Sequence, residues 1–273
     1  MYCTDLHTHT ILSPDGHVPL SEMAQAAADA GCSMLAVTDH CDLLTSDGQR
    51  SLSYDWPPAL AQFAETVPRF AGELELRLGL ELGSVHVSPE HARTILAQAG
   101  EALDLVIGSI HNYREEHGGG EYYYVRFDTP ELCHAVLDDY FTSMEELAAL
   151  PDCYDVLGHI IYPLRYMHRD GQSITLAPYR DRLAHILEQV IAAGRSIEVN
   201  TCRGVTVEDW REILTLYRDL GGTLVTTGSD AHFPADVAKG VREACALLQA
   251  CGFDRVTVYT RRQPELHRLS TTI

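Results

Sequence analysis

Lysine is almost missing from this chain. Lys239 is the only one, and arginine brings the basic total to 20 against 39 acidic side chains, a formal charge of −19. That balance argues against duplex binding, because affinity for a phosphate backbone rests on clustered basic residues. No apolar run approaches the roughly 18 residues that a membrane span needs. The opening MYCTDLHTHT has neither the basic nor the apolar stretch of a secretory leader. Cysteines stand at 3, 32, 41, 133, 153, 202, 245 and 251 with no C-x-x-C pair, which reads as reduced thiols of a cytoplasmic protein. The chain also has no G-x-x-x-x-G-K phosphate loop and no C-x(5)-R phosphatase signature.

What remains is an ordinary globular composition, 45% apolar and 22% charged over 273 residues, ample for one large core. Strand-like runs lie at residues 2–6, 34–38, 76–82, 105–110, 154–160, 196–200, 223–227 and 255–259. Helical patterns lie between them at 20–30, 57–70, 89–99, 130–149, 179–193, 207–220 and 237–250. Ser88-Pro89 and Thr129-Pro130 each read as an N-cap followed by proline at the first helical position. Such alternation means parallel strands joined by helical crossovers, in a barrel or in an open doubly wound sheet. No linker divides the chain, so residues 1–273 read as one domain. The loosest stretch, residues 115–124 with sequence EEHGGGEYYY, reads as a surface loop near the middle.

The chemistry sits where the strands end. DLHTH closes the first run with His7 and His9, two residues apart and so on one side of an extended segment. VTDH closes the second with Asp39 and His40, and GLELG carries Glu81. GSIH gives His111, VLGH gives His159, and EVN gives Glu198 and Asn200. TTGSDAH gives Asp230 and His232. Each motif alone is weak, since lone histidines usually belong to a satisfied core and an isolated aspartate often caps a turn. Together they bring imidazoles and carboxylates to the C-terminal edge of successive parallel strands, where α/β enzymes build their sites. Burying that set without a pairing charge is costly. Divalent cations supply the charge, and imidazole with carboxylate suits zinc, manganese or iron.

The ordered series H-x-H, Asp15, TDH, GLE, GSIH, GH and SDAH resembles the PHP (polymerase and histidinol phosphatase) superfamily, nearest to its monofunctional histidinol-phosphate phosphatases. The resemblance spans His7 to His232, with Cys202 where the E-x-N-T segment usually continues with a small residue. It implies a distorted TIM-like (β/α)7 barrel of parallel strands with the active site at their C-terminal ends. It further implies three divalent ions. One would be held by His7, His9, Glu81 and Asp230; a second, bridged by Glu81, by His111 and His159; a third by Asp15, His40 and His232. Glu81, Asp230 and His232 would stand at the catalytic centre. The implied reaction is cleavage of L-histidinol phosphate, a small-molecule step of histidine biosynthesis, by a cation-activated water.

Phosphate oxygens not held by metal suit a guanidinium fork, and Arg165, Arg203 and Arg114 each follow a ligand-bearing strand. Three rival functions share some of these residues. One is a related phosphoesterase acting on nucleotides, cyclic phosphates or other small phosphate esters. Another is a non-catalytic metal-binding module. The third, an amidohydrolase, would call for a bridging lysine that only Lys239 could provide.

Overall fold

The computed structural model describes residues 2–269. Its sheet runs β1 (Thr4–Asp5), β2 (Met34–Val37), β4 (Glu75–Gly83), β5 (Leu105–Ser109), β6 (Val156–Leu157), β7 (Ser196–Asn200) and β8 (Val225–Gly228), every neighbouring pair parallel. Main-chain bonds Leu6 N to Thr227 O, Asp230 N to His7 O and His9 N to Ala231 O, each 2.9 Å, draw the two edges together. The result is a distorted, nearly closed barrel of the TIM type, not an open sheet. A further strand, β3 (His40–Asp42), pairs with the second half of β4 in register His40 to Glu81.

Helices α1 (Leu20–Asp29), α2 (Trp56–Thr66), α3 (Pro89–Ala99), α4 (Pro130–Ala148), α5 (Leu164–Arg169), α6 (Arg180–Ala192), α7 (Arg211–Asp219) and α8 (Val241–Ala250) pack on the outside. Their buried faces follow helical spacing; in α8 these are Val241, Ala244, Cys245, Leu247 and Leu248. Thr129 caps α4 by accepting from Leu132 N, whereas the Ser88 side chain makes no cap bond and instead meets the side chains of Glu90 and His91. Three expected helices are shorter than their patterns. Pro68 lacks a donor, so the chain tightens into a 3-10 turn at Val67–Phe70. A 3-10 turn at Glu208–Trp210 precedes α7. Gly240 (φ 75°) breaks the run before α8, and a Cβ there would stand 2.6 Å from Gly204 Cα.

The last strand-like run is not a barrel strand. β9 (Arg255–Thr260) pairs antiparallel with β10 (Gln263–Arg268), and Val258 and Tyr259 pack with Leu6, Met34, Ala36, Leu105, Ile107 and Val156 of the barrel interior. Thr257 Oγ1 accepts from Val225 N and Tyr259 Oη donates to Asp155 O, so the hairpin closes the N-terminal end of the barrel. All eight cysteines are buried and unpaired. Among the described residues no helix is long and apolar enough to cross a membrane.

Because Val258 is fully buried at this closure, Val258→Ala should cost about 2 kcal/mol. Urea denaturation should show a lower midpoint with an unchanged slope. An unchanged midpoint would mean that the hairpin does not seal the core.

Candidate metal centre and cavity

Nine side chains meet at the C-terminal rim. His7 and His9 leave β1, His40 opens β3, Glu81 projects from β4, His111 and His159 follow β5 and β6, and Asp230 and His232 follow β8. Asp15 reaches in from the loop after β1, more exposed than the rest. Glu81 is the hub. Its Oε2 lies 3.2 Å from His7 Nε2, 3.6 Å from His9 Nε2 and 2.9 Å from His40 Nδ1. Its Oε1 lies 2.8 Å from His159 Nε2 and 3.2 Å from His111 Nε2, and also accepts from Ser109 Oγ at 2.7 Å. Asp230 Oδ1 stands 3.4 Å from His9 Nε2, and Asp15 Oδ2 3.0 Å from His232 Nε2. Gly228 permits the approach, since a Cβ there would lie 2.4 Å from His7 Cβ and 2.5 Å from Glu198 Oε1.

An outer layer fixes which ring nitrogen faces inward. His7 Nδ1 meets Glu198 Oε1 at 2.7 Å, His111 Nδ1 meets Asp42 Oδ1 at 2.8 Å and His9 Nδ1 meets Ser13 Oγ at 3.2 Å. With Nδ1 donating to the carboxylate, the Nε2 lone pairs of His7 and His111 point at the oxygens of Glu81. His7 Nε2, His9 Nε2, His40 Nδ1, His232 Nε2 and Glu81 Oε2 are buried and make no well-aligned hydrogen bond. Lone pair facing lone pair repels unless a positive charge lies between.

Protons alone do not resolve the arrangement. Burial opposes charge on His7 and His111, yet the carboxylates of Glu198, Glu81 and Asp230 around the first, and of Asp42 and Glu81 around the second, push both well above the usual histidine range. His40, also opposed by burial, is raised to about 9 by Glu81 and Asp42. His9 goes the opposite way, held well below its ordinary value by burial and by the charges of His40 and His232. His159 is lowered too, chiefly by burial. Neutral imidazoles sharing divalent cations with ionised Glu81 and Asp230 satisfy every member at once. Among the described residues four donor sets have ligand atoms within 4.8 Å of one another: His7, His9 and Asp230; His7, Glu81 and His159; His40, Glu81 and His111; His9, His40 and His232.

A cavity of about 750 Å³ opens over this cluster, lined in part by Asp15, Asp42, Glu121, Tyr123, Tyr124, Arg165, Arg203 and Phe233. Arg165 is nearly buried, its Nη1 2.7 Å from Asp230 Oδ2 and its Nη2 3.0 Å from Asn200 Oδ1, above the Tyr162 ring. Arg203 lies on the wall at φ 57°. Arg114 departs from the expectation for it. It does not line the cavity, because Glu116 and Glu146 hold its guanidinium at 2.6 and 2.8 Å. Lys239 pairs with Asp236 and does not line the cavity, which removes the amidohydrolase alternative's bridging lysine.

Sequence reading placed Glu198 at the rim without its bond to His7, and missed the roles of Asp42 and Ser13 and the split in the tyrosine run, where Tyr122 is buried while Tyr123 and Tyr124 face the cavity. Asp42 had a signal: it stands two residues past His40 on one side of an extended segment. Ser13 and Glu198 act through contacts that no spacing encodes.

The PHP domain signature matches residues 5–202. The chain is similar to the histidinol-phosphatase of Lactococcus lactis, 23% identical over 94% of each chain. It is also similar to a Deinococcus radiodurans protein named a probable histidinol-phosphatase, 28% identical over 94% of this chain and 97% of the relative. It superimposes with a TM-score of 0.80 on the structure of the Lactococcus lactis histidinol phosphate phosphatase complexed with zinc, L-histidinol and phosphate. That match covers 96% of this chain and 98% of the other at 22% identity, a shared fold.

Glu198 also accepts from His159 N at 2.9 Å, so it orients two members of the cluster. Glu198→Gln should weaken zinc binding about 10- to 100-fold, read by competition with a chromophoric chelator. Wild-type affinity in that variant would show that the His7 ring is oriented by something else.

Proposed function

The chain belongs to the PHP family, and on that premise we propose that it is a metal-dependent phosphomonoesterase that converts L-histidinol phosphate and water to L-histidinol and phosphate. The observation that carries this reading is the set of buried, inward-facing ring nitrogens gathered on Glu81 and Asp230. His7, His9, Glu81 and Asp230, then His111 and His159 with Glu81, then Asp15, His40 and His232 would hold three ions, zinc being the metal in the related structure. Bound there, divalent cations neutralise phosphate oxygens and make a nucleophile available at neutral pH.

The residues of the chain supply position and charge. Arg165, locked by Asp230 and Asn200 and with Nε free of hydrogen bonds, offers a fixed cation to a phosphate oxygen, and Arg203 offers a second from the wall. Arg165 does not need to move when the ester arrives, which limits the entropy lost on binding. His232 Nδ1 meets the Asp230 carbonyl at 3.0 Å, which turns Nε2 toward Asp15. In the reaction the water oxygen forms a bond to phosphorus, the ester P–O bond breaks, and the proton lost by water is balanced by the one gained by the alcohol.

The other end of the substrate carries an amine, and the cavity has a carboxylate for it. Asp15 and Asp42 are both committed to histidines, whereas the Glu121 carboxylate makes no hydrogen bond or ion pair among the described residues. Glu121, with the rings of Tyr123 and Tyr124 beside it, would receive an ammonium and a planar heterocycle.

Removing metal with a chelator should abolish hydrolysis, and added zinc should restore it; full turnover in a verified metal-free sample would contradict the mechanism. In a substrate panel, histidinol phosphate should exceed nucleoside monophosphates and an aryl phosphate in kcat/KM. Parity with the aryl ester would defeat the substrate assignment. Glu121→Gln should raise KM for histidinol phosphate about tenfold and leave the aryl ester unchanged; equal losses on both substrates would remove Glu121 from amine recognition.

A further inference from the structure

Asp139, in the body of α4, is buried and does not line the cavity. Its Oδ2 accepts from Tyr122 Oη at 2.8 Å and from Arg114 N at 3.1 Å, and its Oδ1 meets His117 Nδ1. All three partners lie on one stretch of chain, between β5 and α4. Among the described residues no lysine or arginine side chain pairs with Asp139, so a costly buried carboxylate is held by donors from that stretch.

The same stretch forms part of the cavity wall. Glu121 and Tyr123 flank Tyr122, whose ring is buried with centroids 4.7 Å from Tyr113 and 5.8 Å from Tyr140. Upstream lies Gly118-Gly119-Gly120, with Gly118 and Gly119 at φ 97° and 66°, a backbone with little stiffness of its own. Regular structure here consists of the short turns Glu115–His117 and Tyr122–Tyr124 and of isolated antiparallel bridges pairing Gly120 with Asp47 and Glu121 with Asn112. Besides Asp139, the anchors near Glu121 are main-chain bonds, Tyr122 N to His111 O and Tyr113 N to Gly120 O at 2.9 Å and Glu121 N to Ser46 O at 3.2 Å, and two side-chain donors to main-chain carbonyls, Asn112 Nδ2 to Gly119 O at 2.8 Å and Arg169 Nη1 to Tyr123 O at 2.9 Å; none of these reaches the Tyr122 hydroxyl.

We propose that Asp139 is a positioning residue for substrate recognition, latching this segment through the Tyr122 hydroxyl so that Glu121 and Tyr123 stand at fixed places in the cavity wall. The inference rests on the functional reading above, in which Glu121 receives the amine of the ester. The latch acts on the leaving-group end of the substrate and leaves the phosphate end to the histidine cluster and Arg165.

The test compares zinc-loaded wild type, Asp139→Asn and Tyr122→Phe. The readouts are KM and kcat for histidinol phosphate, kcat/KM for p-nitrophenyl phosphate, Ki for inorganic phosphate, and bound zinc. In Asp139→Asn, KM for histidinol phosphate should rise about tenfold and kcat should stay within about twofold, while the other three readouts hold. Tyr122→Phe keeps the ring and should give a smaller rise of the same kind, and the double variant should be no worse than Asp139→Asn alone. An unchanged KM in both single variants overturns the latch, and so does a parallel loss for both esters and phosphate, which marks a disturbed fold. If Asp139→Asn does not fold, Tyr122→Phe decides. A wild type that cleaves p-nitrophenyl phosphate but not histidinol phosphate defeats the functional reading and the latch with it, an outcome told from a failed latch by the wild type alone.

Discussion

The rim of this barrel is organised around an electrostatic conflict. A buried carboxylate, Glu81, is approached within 3.6 Å by ring nitrogens of five histidines, and the outer partners of His7 and His111 turn lone pairs toward it. Each buried ion costs several kcal/mol in lost hydration, and a cluster of mixed demands cannot be relieved by protons when some rings are pushed up and others down. Positive charge placed among the nitrogens relieves all of it. The barrel thus fits a metal centre through the directions of its lone pairs as well as through its residue types.

The architecture serves that rim. Short strands such as β1 and β6 end just before the ligands that follow them, and main-chain bonds between the β1 and β8 segments hold His7, His9 and Asp230 in one frame. The opposite end is sealed by a hairpin whose side chains complete the interior core. α4 supports the site twice, Tyr140 bonding to the His159 carbonyl at 2.9 Å and Asp139 holding the loop before it. Stability and recognition are thus divided between the two ends of the barrel.

Much of this was legible because strand-end residues are set by period and topology. Parallel strands place their C-terminal ends on one rim, so His7, Glu81, His111 and Asp230 could be gathered without coordinates. The hairpin was hidden for a physical reason. Its turn, Arg261-Arg262, holds two left-handed residues (φ 49° and 63°) with neither glycine nor asparagine, and is held by Asp104, which accepts from Arg261 N and Arg262 N. Arg114 misled because its spacing from His111 says nothing of Glu116 and Glu146, which claim it. The outer partners Ser13 and Glu198 work through tertiary contacts, while Asp42 was within reach of a period-two reading.

The central claim is that the converging nitrogens and carboxylates exist to hold cations. Anomalous X-ray diffraction at the zinc absorption edge, on crystals equilibrated with zinc, tests it most directly. The account predicts more than one anomalous peak within coordination distance of Glu81, with His7, His9 and Asp230 around one of them. A well-ordered barrel showing no anomalous density among these side chains would contradict it.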